Sequence, residues 1–478
     1  VVLVPALALF GLWRFAAGQD GETVESLPPT TVAAAQPVAS TPVLNTPLLS
    51  FRRVPGLIAR DLNDDSFAAA VNGFAATLDP TSCVVVQLDG IEVGSHNPDV
   101  AVIPASNQKL VTAAAALHVL GPDHAFTTQV RADPVNGGVV AGNLYLVGGG
   151  DPLLTTNDFL DAGIIRYPVT SPTSLDALAD SVVAAGVTRV DGDVVGDGTR
   201  YDDEWYQDNW GDGVRVTEAG PLDALLVNDS RYFGGNGWEV AEDPNQGAAR
   251  EFARLLTERG VTIGGDTVSG AAPADLRVVA SVDSATLPAV VAEMQGTSDN
   301  NTAELLVKEI GLKASGSPTR EAGAAAITAA LAEIGIDTAG FVVADGSGLS
   351  NENRVTCRGL ATILARFEPG DAFAAGLPVA GESGTLSDAF EGTAVEGRMV
   401  AKTGSLGNPP YNADPPAVKS LSGYLPVEGG GTIEFALILN SPSINVADQS
   451  VNRPIWDAFG EMLATYPAGP SAAELGPG

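Results

Sequence analysis

Lysine is scarce in this chain: five among 478 residues, beside 20 arginines and 58 carboxylates, for a formal net charge of −33. A surface that acidic repels phosphate backbones and anionic lipid headgroups, which excludes nucleic acid as a partner. Cysteine is nearly absent. Cys83 and Cys357 are the only two, and neither has a Cys-x-x-Cys or metal-ligand spacing. The three histidines, His96, His118 and His124, are too few and too scattered for a zinc site, so no metal is expected. No apolar run is long enough to cross a bilayer. The longest, Val1–Trp13, is followed by Arg14 and then by acidic sequence. Residues 1–17 read as part of a signal peptide or membrane anchor, with a buried N-terminal element as the alternative. Residues 18–49, rich in Pro, Ala and Thr, read as an extended tether. Export plus a tether places the folded part outside the cytoplasmic membrane, in the cell envelope. In such an oxidising compartment a Cys83–Cys357 disulfide is the expectation, with two buried thiols as the other reading.

What is present is an ordinary globular composition, 45% apolar and 17% charged, in a chain too long for one core. Folded sequence is expected from about residue 50. Ser82–Leu88 and Ile91–Val93 flank an Asp-Gly turn and read as a β-hairpin. A helix is expected from Ser106 to about Leu120, because Leu110, Ala113, Ala114, Leu117 and Leu120 recur at helical spacing and Gly121 follows. From 129 to 276 the texture changes to short apolar runs punctuated by Gly and Asp, with one helical stretch at Leu175–Ala185. Helices are then expected at Leu287–Met294, Asn301–Ile310 and Arg320–Ile334. Strands are expected at Gly397–Lys402, Lys419–Leu425 and Thr432–Leu439, and a last helix at Asn452–Leu463. The expected fold is α/β, with helices packed on an antiparallel sheet. That domain is split into 50–128 and 277–468 around an inserted mainly-β module, 129–276.

Two of the five lysines sit in short motifs: Ser106-Asn107-Gln108-Lys109 and Lys402-Thr403-Gly404, with Ser298-Asp299-Asn300 between them. A serine hydroxyl is a poor nucleophile until a base takes its proton. Lys109, one helical turn from Ser106 and on the same face, can be that base if burial and a second cation lower its pKa. Ser298 is expected to relay a proton to the leaving amine and Asn300 to orient the substrate amide. Lys402, with Thr403, Gly404 and Ser405, is expected to bind a substrate carboxylate. The backbone N–H groups of Ser106 and Ser405 are the expected oxyanion hole. Each motif alone has a plain structural reading: a helix cap with a solvated lysine, a turn, a strand end. Their order and placement together argue for serine acyl transfer.

From about Ser50 to Thr465 the chain resembles the class C low-molecular-mass penicillin-binding proteins, the DacB-like D-alanyl-D-alanine carboxypeptidases/endopeptidases. The likeness rests on Pro104–Leu110, Leu146–Pro152, the Ser298 motif with Ala303-Glu304, Asp345–Ser350 and Gly384-Thr385-Leu386, and on the long gap between the first two motifs. It implies a penicillin-binding-protein/serine β-lactamase-like fold and cleavage of the D-Ala-D-Ala bond of peptidoglycan stem peptides. It also implies covalent inhibition by β-lactam antibiotics and no cofactor. Many relatives carry Arg after the Asp345–Ser350 run, to hold a side-chain carboxylate of the substrate. Here Asn351 takes the place, with Arg354 as a possible substitute. Asp151 is a candidate ligand for the substrate's free amine, or a turn residue before Pro152. Tyr201–Tyr206 fits sugar stacking or, preferably, packing between modules. A β-lactamase-like hydrolase and a non-catalytic wall-binding protein on the same fold are the competing readings.

Overall fold

The computed structural model describes residues 54–475 except 165–166, 168, 211–213, 216, 408–416, 429, 442 and 445–448. The expected export segment and the tether lie outside the described residues, as does most of the proline-containing stretch 408–418 that follows the Lys402 motif. Among the described residues no helix is long and apolar enough to cross a membrane.

The chain enters through helix α1 (Val54–Ala75), then strands β1 (Cys83–Leu88) and β2 (Ile91–His96) and helix α2 (Gln108–Val119). A second body follows, with β3 (Thr127–Ala132), β4 (Leu144–Val147), α3 (Leu175–Ala184), β5 (Val194–Asp197), α4 (Pro244–Glu258), β6 (Thr267–Ser269) and β7 (Arg277–Asp283). The return supplies α5 (Leu287–Thr297), α6 (Asn300–Ser315), α7 (Arg320–Glu333) and α8 (Cys357–Arg366). The sheet closes with β8 (Val400–Leu406), β9 (Val418–Pro426) and β10 (Thr432–Leu439), and α9 (Asn452–Leu463) ends the fold.

The first sheet has the order β8-β9-β10-β1-β2, antiparallel throughout. All six β1 residues are buried, and their alternation divides them between two cores. Cys83 and Val85 join α2, α5, α6, α7 and α8 on one face. Val84, Val86 and Leu88 join α1 and α9 on the other, against Phe67, Val71, Phe459 and Leu463. A sheet covered on both faces accounts for the near-continuous apolar run of β1, as in fully buried strands. The edge strand is β8, which carries Lys402, as its place in the sequence implied.

The second sheet has the order β6-β5-β4-β3-β7. Strands β6, β5 and β4 run parallel, and β3 pairs antiparallel with both β4 and β7. Parallel neighbours need crossover connections, and α3 and α4 occupy them; α4 was not anticipated. Its N-cap is Asp243, which accepts from the N–H groups of Asn245 and Gln246, with Pro244 opening the helix. The expected junctions at 128/129 and 276/277 need correcting. Register pairs Thr127 with Asp283 and Ala132 with Arg277, so β3 and β7 both belong to the second sheet and the crossings lie just outside them.

A small cluster joins the bodies: Tyr201, Trp210, Leu222 and Leu226 pack with Leu305 of α6 and Leu349. Here Lys308, fully buried, donates to Asp202 Oδ1 at 2.5 Å, and Tyr201 OH donates to Glu309 at 2.8 Å. The acidic aromatic segment thus packs one module on the other, as preferred over sugar stacking.

Cys83 and Cys357 are bridged, tying β1 to the first turn of α8 across 274 residues, and neither is exposed. Closing so long a loop restricts the unfolded chain, worth about 2–5 kcal/mol. The Cys83→Ala/Cys357→Ala double variant is expected to lose about that much in urea unfolding. Native protein is expected to keep the bridge in mild reductant, read by thiol titration with and without denaturant.

Candidate active site

The first motif sits on a strained entry. Ala105 has φ of +48° and begins a short 3-10 turn, Ala105–Asn107, that runs into α2. Ser106 therefore lies in this turn, two residues before the helix expected to begin on it. Its N–H is among the helix-entry donors that lack an intrahelical acceptor. Gly348, with φ of +88°, lets the 345–350 loop press onto this turn: a Cβ there would stand 1.9 Å from Ala105 O.

Lys109 is fully buried. Its Nζ donates to Ser106 Oγ at 3.1 Å, to Asn300 Oδ1 at 2.7 Å and to Ser347 O at 2.7 Å. Burial lowers its pKa to about 8, against the opposing pull of Asp299, Asp345, Glu304 and Glu218. Those acceptors are themselves held in place. Glu304 Oε1 accepts from the N–H groups of Gly346 and Ser347, and Asp345 accepts from Gly348 N, Ser350 N, Asn353 Nδ2 and Trp210 Nε1. Asn300 Nδ2 donates to Glu218 O in the inserted module at 2.7 Å. Asn300, expected to orient the substrate amide, lines the cavity and links Lys109 to the module through the two ends of its side chain.

The second motif is a corner between two helices. Ser298, with φ of +63°, ends α5 in the left-handed region, and Asp299 caps α6 by accepting from Thr302 N at 2.5 Å. The cap reading and the functional reading hold together, because the corner aims Ser298 at β8. There Lys402 Nζ donates to Ser298 Oγ at 2.7 Å and to Thr403 O at 2.9 Å. Lys402 is fully buried, and its pKa lies well below the usual lysine value because of burial and the neighbouring Lys109. The structure thus places the Lys402 ammonium, expected to bind a substrate carboxylate, on Ser298 Oγ and the Thr403 carbonyl.

Strand alternation explains the division of labour in the third motif. Lys402 and Gly404 face α2. A Cβ on Gly404 would stand 2.2 Å from Ser420 Oγ and 2.9 Å from Ser106 N, so only glycine lets the edge strand approach the nucleophile. Thr403 and Ser405 face the other way. Thr403 Oγ1 donates to Thr385 Oγ1 at 2.6 Å, and Lys419 Nζ donates to Ser405 Oγ at 2.7 Å.

A cavity of about 890 Å³ joins Ser106, Ser298, Asn300, Thr403, Gly404 and Ser405. Asn351 also lines it, but Arg354 does not: its guanidinium donates to the carbonyls of Asn351 and Asn353. Asp151 is corrected as an amine ligand. It is 1% exposed and accepts from Leu153 N at 2.9 Å, and burial raises its pKa to about 6. Its neighbours Pro152 and Leu153 reach the cavity; its carboxylate does not. The lining residues not anticipated include Glu218, Asp229, Lys419 and Arg453. Lys419 had a signal in the sequence, as one of only five lysines on a predicted strand beside the Lys402 motif.

Over residues 78–234 and 235–466 the sequence matches the D-Ala-D-Ala carboxypeptidase 3 (S13) family. A D-alanyl-D-alanine carboxypeptidase from an Actinomadura species is 32% identical, across 86% of this chain and 84% of its own length. Carboxypeptidase DacB of Mycolicibacterium smegmatis is 28% identical across 92% and 90%. Among solved structures, penicillin-binding protein 4 of Haemophilus influenzae superposes with a TM-score of 0.67 at 20% identity, covering 82% of this chain and 98% of that one, a likeness of fold.

Two outcomes follow from the geometry. A base must be neutral to accept a proton, and Lys109 loses its proton near pH 8. The second-order rate of Ser106 acylation is therefore expected to rise about tenfold per unit from about pH 6 and to level off above about pH 8. A flat profile across that range rules Lys109 out as the base. Gly404→Ala is expected to slow acylation by about 10²-fold or more by displacing the strand from Ser106. A time course of labelling, with circular dichroism confirming the fold, checks it.

Proposed function

The chain belongs to the D-Ala-D-Ala carboxypeptidase 3 (S13) family, and on that premise we propose that it is a serine DD-peptidase acting on peptidoglycan stem peptides in the cell envelope, with Ser106 as its nucleophile. The observation that carries the assignment is the 3.1 Å contact between Ser106 Oγ and the buried Nζ of Lys109, whose pKa is lowered to about 8.

Neutral Lys109 takes the proton of Ser106 Oγ as the oxygen attacks the carbonyl carbon of the penultimate D-Ala. The negative charge that develops on the carbonyl oxygen is met by the N–H groups of Ser106 and Ser405, a pair of donors each worth about 10²–10³ in rate. As the C–N bond breaks, the leaving amine of the terminal D-Ala takes, by way of Ser298 Oγ, the proton that Lys109 removed from Ser106, which returns Lys109 to its neutral form; Lys402 holds Ser298 in place by its 2.7 Å hydrogen bond. The acyl group now rests on Ser106 Oγ. Water, deprotonated by Lys109, attacks the ester, and Ser106 leaves with the proton restored. A β-lactam enters the same first step, and its leaving amine stays tethered, which favours a long-lived acyl-enzyme.

Ser106→Ala is expected to abolish covalent labelling by fluorescent penicillin and D-Ala release from a pentapeptide while leaving thermal unfolding within a few degrees of wild type. Labelling retained at another residue overturns the nucleophile assignment. Rapid nitrocefin turnover would move the reading to a β-lactamase, and a wild-type protein that neither labels nor releases D-Ala would move it to a wall-binding protein. Mass spectrometry of products from cross-linked muropeptides separates carboxypeptidase from endopeptidase action.

A further inference from the structure

The cavity wall carries a lysine that has had no role so far, Lys419. Lys402, the obvious cation, is fully buried with its Nζ committed to Ser298 and Thr403. Ser405 and Thr403 lie on the other face of β8, and the cation on that face is Lys419, registered directly across from Ser405 on β9. It is 4% exposed, lines the cavity, and donates to Ser405 Oγ at 2.7 Å.

A serine hydroxyl has one proton and two lone pairs. By occupying a lone pair with an ammonium, Lys419 leaves the Ser405 O–H available as a donor and places a positive charge beside it. Arg453, at the start of α9, lines the same wall, with Nη2 on Asp388 Oδ1 at 2.8 Å and Nε on Gln449 Oε1 at 2.6 Å. Burial and the nearby Arg453 both lower the Lys419 pKa, so the two cations stand close enough to feel each other.

The remaining charged lining residues are carboxylates: Glu218, Asp229, Glu293, Asp299 and Asp388. Four of them lie toward the inserted module and the α5–α6 corner, away from the strand face that carries Lys419. Among the described residues, then, the lining cations Lys419 and Arg453, the latter paired with Asp388, lie on the side of the cavity away from those four carboxylates. An anionic peptide end is turned toward β8 and β9 by this field before any contact forms.

We propose that Lys419, acting through Ser405 and reinforced by Arg453, is the specificity-determining cation that receives the free C-terminal carboxylate of the scissile dipeptide. The inference rests on the serine DD-peptidase reading and assigns to Lys419 the task the sequence pattern gave to Lys402.

The test compares two peptides that differ only at the C-terminus, one ending in -D-Ala-D-Ala with its free acid and one with the carboxamide. The readout is the ratio of kcat/KM, acid over amide. Wild type is expected to prefer the acid strongly, and Lys419→Met to reduce that ratio by about 10–100-fold, mostly through KM, with penicillin labelling of Ser106 still going to completion. Lys419→Arg, which keeps the charge, is expected to stay within a few-fold of wild type. A folded, labelled Lys419→Met with an unchanged ratio overturns the inference while leaving the DD-peptidase reading intact. Wild-type protein with neither labelling nor D-Ala release sinks both. Should Lys419→Met fail to fold, the wild-type ratio is read at rising salt. It is expected to fall as the charge attraction is screened, and a salt-independent ratio overturns the inference.

Discussion

Two lysine ammonium groups buried side by side, with no carboxylate among the described residues in direct contact with either, are the constraint around which the catalytic half is arranged. Removing an ammonium from water is costly unless it is paired or gives up its proton. Lys109 meets only neutral acceptors at hydrogen-bond distance: a hydroxyl, an amide oxygen and a carbonyl. Its carboxylate neighbours act from further away, enough to keep its pKa from falling further. Lys402 sits in the same dry region and feels Lys109 as a like charge. An environment of this kind favours an amine ready to accept a proton at neutral to mildly alkaline pH, which an exposed lysine is not.

Much of the surrounding structure holds the acceptors of Lys109 still. Glu304 and Asp345 together fix the backbone of the 345–350 loop that offers the Ser347 carbonyl, and Arg320 pairs with Glu304 Oε2 at 2.8 Å. The inserted module reaches the same lysine through Glu218 O and Asn300. Its Tyr201–Trp210 segment is locked to α6 and to Asp345, so the second body forms a wall of the site.

The three motifs, the bounds of β10 and α9, the α5–α6 pair and the edge position of β8 were legible because each depends on local signals: period, caps and order. The Cys83–Cys357 pairing followed from compartment and the lack of other partners. What was hidden depends on long-range register. Nothing local tells that β3 and β7 pair, so the module boundaries fell a few residues inside the true crossings. Lys402 and Ser405 are three apart on a strand and so point to opposite faces, a consequence of alternation that separates two groups expected to act together. Asp151 could be read as a turn residue or a ligand until its burial was known. α4 was masked by glycine and polar residues in its first turns, although Asp243-Pro244 is a recognisable start.

The burial of four of the five lysines carries a consequence for the fate of the acyl-enzyme. Lys109, Lys308, Lys402 and Lys419 are enclosed, and Lys313 is the exposed lysine among the described residues. An ester on Ser106 is open to aminolysis by any free amine that can reach it. Copies of this protein crowded at a wall offer one another very few lysine amines, so water or a substrate amine meets the ester far more often than a sister molecule does. The scarcity of lysine that marks the sequence thus also guards against covalent self-linking.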